Sequence, residues 1–124
     1  MPRTPVLDLL PRRLDLRLYA GDGVGLALTV AYPDGDAVLL NGVLAAQIRA
    51  SRRDSEPLAT FAVTDVDAVL GEARLTLTGE QTAALVADTD RFTGVWDAQW
   101  TPEDQQPRTL VGGKVICELD VTRL

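Results

Sequence analysis

Eighteen carboxylates, one thiol and two tryptophans stand out among the groups this 124-residue chain could bring to chemistry, and it contains no histidine. The commonest general base and the commonest metal ligand are therefore missing together. Cys117 alone can form neither an internal disulfide nor a multi-thiolate zinc site, and no imidazole is present to activate it. Its setting in the alternating run Val115-Ile116-Cys117-Glu118-Leu119 predicts a buried small hydrophobe. The pairs Asp65/Asp67 and Asp88/Asp90, and Asp34/Asp36 beside Pro33, each offer only a fraction of the roughly six to eight oxygens that calcium takes. Two carboxylates could also serve glycoside hydrolysis, where their separation decides the outcome, but spacing along the chain does not give that separation. Gly21-Asp22-Gly23-Val24-Gly25 has the composition of a phosphate-cradling loop. Such a loop needs a helix starting behind it, and Leu26-Ala27-Leu28-Thr29-Val30 reads as strand, so a turn or bulge is expected. Trp96 and Trp100 stand four apart in an alternating segment, hence on one face, with Phe92 in phase. An exposed row of this kind would be an aromatic surface able to stack on sugars, whereas core or subunit packing is the commoner use. No catalytic, cofactor-binding or metal-binding residue is assigned.

Charge narrows the partners. The net charge is −6 and the pI about 4.5, which disfavours a phosphate backbone as ligand. The distribution is uneven: residues 1–13 carry Arg3, Arg12 and Arg13 against Asp8, a balance of +2 that leaves −8 for the rest. Arg12-Arg13 and Arg52-Arg53 are exposed basic spots by context. They serve solubility or pair with the acidic face of a neighbouring copy, which makes Arg3, Arg12, Arg13, Arg52 and Arg53 the expected assembly contacts. No apolar run is long enough to span a bilayer, and the first residues lack a signal-peptide pattern, so no membrane partner is expected.

The elements that must position these residues follow from period and punctuation. Pro2, Pro5 and Pro11 mark residues 1–13 as an extended N-terminal arm, and residues 14–124 as one domain. Leu14, Leu16 and Leu18 alternate with Asp15 and Arg17, a half-buried strand. Residues 24–32, 43–50, 58–63, 74–78, 92–100 and 108–121 read as further strands, the last as one or two around Gly112-Gly113. Between them lie turns at Pro33-Asp34-Gly35 and Asn41-Gly42, a polar loop at residues 51–57, and a segment at 65–71 that fits either strand or turn. Thr78 and Gln81 fit a capping box, so one short helix is placed at residues 81–87. The sum is an all-β fold: an Ig-like antiparallel β-sandwich of about seven to nine strands with one short helix.

With the strands in order, a resemblance emerges. An opening strand ending Gly21-Asp22 is followed by an apolar strand, the Asp34-Gly35 turn and Gln47-Ile48-Arg49. Leu75-Thr76-Leu77-Thr78, Gln81-Thr82, Trp96-Asp97, Gly113-Lys114-Val115 and a closing Val121-Thr122-Arg123 come next. This order resembles the β-sandwich structural proteins of tailed-bacteriophage particles over nearly all of residues 14–123. The resemblance implies a non-enzymatic virion protein, assembled in the host cytoplasm in multiple copies on the tail or head–tail region. Its implied role is that of a collar that anchors fibres. Its partners would be its own copies and other virion proteins of tail, head–tail junction or capsid, with no nucleic acid and no cofactor. A capsid-surface decoration or minor capsid protein is the alternative within that class. A carbohydrate-binding module using Trp96 and Trp100 is the alternative outside it.

Overall fold

Alternation of buried and exposed residues marks β-strand in segments such as 16–19 and 72–77, and the computed structural model describes residues 12–121 of the chain. Among the described residues, nine strands and one helix follow in order. They are β1 (Arg12–Arg13), β2 (Leu16–Tyr19), β3 (Val24–Thr29), β4 (Val43–Arg49), β5 (Ala59–Thr60), β6 (Ala62–Asp67), β7 (Glu72–Leu77), α1 (Gly79–Val86), β8 (Arg91–Thr101) and β9 (Arg108–Glu118). One sheet has the order β1-β9-β8-β4-β5, with β2 also on β9; the other has the order β3-β7-β6. Two packed sheets with one short helix make an all-β sandwich.

The sheet is not purely antiparallel. Both β1 and β2 run parallel to β9, with Arg12 opposite Val111 and Leu16 to Tyr19 opposite Val115 to Glu118. A parallel pair needs a long crossover, and here the whole intervening chain supplies it. Arg12 and Arg13, the last two residues of the expected arm, are paired with β9. The remainder of the expected arm, with Arg3, lies outside the described residues.

The expected strand at residues 58–63 is two strands. Ala59 pairs with Ile48 in the larger sheet, whereas Ala62 pairs with Thr76 in the smaller one. Phe61, buried between them, donates its N–H to the Ala46 carbonyl and carries the chain from one layer to the other. The ambiguous segment resolves into the end of β6, a bulge between Thr64 and Asp67 in its pairing with β7, and a turn to Gly71. Around Gly112-Gly113 the closing strand is continuous.

The helix forms where the capping box lies. The Thr78 hydroxyl accepts from the Gln81 N–H at 3.2 Å, and the Gln81 side chain accepts from the Thr78 N–H at 2.9 Å. Thr82, fully buried, then anchors α1 to the first turn of the chain. Its hydroxyl accepts from the Gly21 N–H at 3.0 Å and lies 2.9 Å from the Asp22 carbonyl.

Two apolar clusters fill the sandwich. The larger gathers Leu16, Leu18, Ile48, Phe61, Leu75, Leu77, Trp96, Val115 and Cys117; the smaller gathers Val30, Tyr32, Val38, Leu40 and Trp100 at one end.

Candidate assembly surfaces

The aromatic-surface reading is overturned. Trp96 is 3% exposed and Trp100 1% exposed, so neither ring can stack on a ligand. The face they share is the inner face of β8, and each indole N–H finds a backbone carbonyl, as buried tryptophan requires. Trp96 Nε1 donates to the Leu14 oxygen at 2.7 Å and Trp100 Nε1 to the Asn41 oxygen at 2.6 Å. Trp96 also meets Phe61, ring centroids 5.7 Å apart and tilted by 49°. Leu14 departs from the expected alternation for the same reason. Its carbonyl turns inward at the joint between β1 and β2, leaving the side chain 47% exposed. Gly113 makes room, since a Cβ there would collide with that carbonyl.

Cys117 is buried, with Sγ 3.5 Å from the Thr82 carbonyl. Burial, followed by the negative charges of Asp22 and Glu118, pushes its pKa up, the opposite of an activated thiol. In two of the aspartate pairs a carboxylate holds a turn: Asp34 Oδ1 accepts from the Asp36 N–H and Asp67 Oδ1 from the Leu70 N–H. Asp65 holds φ +50° in the bulge of β6. Among the described residues, no three of His, Cys, Asp or Glu gather as a metal site would require. Gly21-Asp22-Gly23 is a turn, as expected, and the helix that meets it is α1, from elsewhere in the chain. No helix among the described residues is long and apolar enough to cross a membrane.

The basic spots lie apart. Arg12 and Arg13 form an edge strand, whereas Arg52 and Arg53 are exposed in the loop leading to β5, at the sheet's opposite edge. Four strand spacings, about 19 Å, separate β1 from β5. The β1 edge is held by charge. Asp15 Oδ1 accepts from the Lys114 N–H at 2.9 Å and pairs with Arg13 Nε at 3.3 Å. First the backbone hydrogen bond from Lys114 and then the Arg13 cation hold its pKa below the ordinary value. Arg17 reaches Glu118 across the neighbouring rung at 2.9 Å.

A further surface was not legible in the sequence. At the end of the sandwich opposite Arg52 and Arg53, a groove of about 270 Å³ opens between β4 and β6, lined mainly by Leu40, Val43, Leu44, Val63, Val66 and Trp100. Val43 is 64% exposed and Val66 51%, and Leu39, Val69 and Leu70 add exposed apolar surface in the segments flanking β4 and β6. Gly42, also in the lining, holds a left-handed conformation, φ +87°, where a Cβ would strike the Thr101 carbonyl. The uncharged stretch Val43-Leu44-Ala45-Ala46 was the available signal, but it reads equally as a fully buried strand.

No protein-family model and no curated protein matches the chain. The sandwich and its surfaces therefore carry the functional argument.

Proposed function

We propose that this chain is a non-enzymatic structural protein of a tailed-phage particle. It assembles in multiple copies on the tail or head–tail region as a collar-type, fibre-anchoring component. One observation carries the reading. The two motifs at the ends of the resemblance, the strand ending Gly21-Asp22 and the strand leading to Asp120-Val121, lie side by side as β2 and β9. The helical turn with Gln81-Thr82 binds that same corner through Thr82. Three motifs far apart in the sequence, at its start, middle and end, thus meet at one corner of the sandwich.

The chemistry of the surface agrees with assembly rather than turnover. An Ig-like frame with an arginine-bearing edge, a second arginine pair on the opposite edge and an exposed apolar groove offers distinct contacts for repeated copies. Its partners in this reading are its own copies and neighbouring virion proteins, and its location is the virion after assembly in the host cytoplasm.

Gold-tagged antibody applied to purified particles of a phage encoding the chain tests this. Label at the neck or tail supports the collar-type role. Label spread over the head makes the protein a capsid decoration or minor capsid protein. Particles that stay bare, with an antibody that binds the purified protein and with accessible epitopes, overturn the virion assignment.

A further inference from the structure

We infer that the groove between β4 and β6 receives residues 6–10 of a second copy of this chain, added as a strand along the open edge of β4. The inference takes its partner, another copy, from the assembly reading above.

The edge of β4 is open over a definite stretch. Its pairing with β8 runs from Val43 to Arg49, but on the other side β5 covers only Gln47 and Ile48. Val43, Leu44 and Ala45 have no strand partner on that side among the described residues, and all three are uncharged. A flat, apolar edge of this kind is a template for another strand. The opposing β6 is not: its bulge at Asp65 and the charges of Asp65 and Asp67 are the devices that protect an edge.

The occupant is named by the sequence. Val6-Leu7-Asp8-Leu9-Leu10 is a five-residue run, apolar but for Asp8, bounded by Pro5 and Pro11 and of the length of an ordinary strand. With period two, Leu7 and Leu9 share one face and enter the groove, while Asp8 stays on the other. Arg3 precedes the run and Arg12-Arg13 follow it. Acidic residues adjoin the lining: Asp65 and Asp67 flank Val66 on β6, and Glu103 is hydrogen-bonded through its N–H to Asn41. Charge and apolar pattern therefore match along the segment.

Reach decides that the groove belongs to a neighbour. Leu10 stands two residues before Arg12, so chain length allows it at most about 7 Å from β1. The strand β4 is three strand spacings, about 14 Å, from β1, with its open edge on the far side. All five residues therefore cannot line the edge of their own copy, but they can line the next one's. Such a contact joins unlike surfaces and propagates head to tail, closing into a ring if the rotation allows.

Complementation between two defective full-length variants tests this by sedimentation velocity over a concentration series. Leu7→Asp with Leu9→Asp spoils the arm; Val43→Asp spoils the groove at an exposed position, so both should fold, as circular dichroism checks. The expected result is self-association of the unaltered chain, weakened at least tenfold in either variant. A mixture of the two variants then recovers a dimer, because one intact arm meets one intact groove. A monomeric unaltered chain at high concentration, or variants that associate as it does, overturns the inference. Leu9→Cys with Val66→Cys, in a Cys117→Ala background, gives the covalent check: disulfides between chains are expected, and disulfides confined within single chains overturn it. The two readings fail separately. Arm and groove that associate while particles stay unlabelled remove the virion role alone. Labelled particles with no arm–groove association remove this interface alone.

Discussion

The indole N–H of Trp96 donates to the carbonyl oxygen of Leu14 at 2.7 Å, joining residues 82 positions apart in the chain. The bond spans the step where the edge passes from β1 to β2, opposite Gly113, and so couples the core to the edge that carries Arg12 and Arg13. Backbone carbonyls at an edge joint ordinarily face water; this one is met from inside by the largest side chain of the main cluster.

Trp96→Phe keeps most of the apolar area and removes the donor. The Leu14 carbonyl then loses its inner partner, and the domain should lose about 1–3 kcal/mol in urea unfolding. Faster amide exchange at Leu14, whose N–H donates to the Gly112 carbonyl, should accompany the loss. An unchanged unfolding midpoint would mean the bond contributes nothing beyond packing.

Thr82 makes a comparable link on the other side of the corner. Thr82→Val retains the shape and leaves the Gly21 N–H without its acceptor, which should cost about 1–3 kcal/mol. Thr82→Ser should recover most of it. Equal destabilisation by Ser and Val would assign the effect to the methyl group and its packing.

Cys117 should resist thiol reagents in the folded protein at neutral pH. Its pKa is raised, so the thiolate is scarcer than in a free cysteine, and Sγ is enclosed beneath α1. Labelling followed by mass spectrometry should show reaction only as denaturant unfolds the domain. Rapid labelling without denaturant would place the thiol at an accessible surface.

Asp15 gives a pH dependence with a definite sign. Its folded pKa lies below the ordinary value of 3.8, through the Lys114 N–H first and Arg13 second. The carboxylate's contribution is therefore complete above the unfolded pKa and is lost as pH falls through the folded one. NMR titration should find the Asp15 carboxyl more acidic than 3.8, and Asp15→Asn should remove its share of the acid sensitivity of the β1–β9 edge. A titration at or above the ordinary value would contradict the hydrogen bond from Lys114.

Much of the frame is written locally. The alternation from Phe92 to Trp100 predicts a strand with both tryptophans on one face, and β8 has them there. Thr78 and Gln81 announce the helix start because a capping box is satisfied within four residues. The segment at residues 58–63 misled because one apolar run can serve two sheets. The switch at Phe61 is made by contacts with Ala46 and Trp96, distant in sequence.

The sequence by itself determined the all-β class, the turns, the helix cap and which side chains share a face, since each depends on neighbours a few residues apart. The tertiary structure decided which face is covered, that the first strands run parallel to the last, and that β4 and β6 leave a groove between them. Period two assigns residues to two sides of a strand, but only the packing of one sheet on another makes a side interior. Trp96 and Trp100 became core rather than surface on that ground alone.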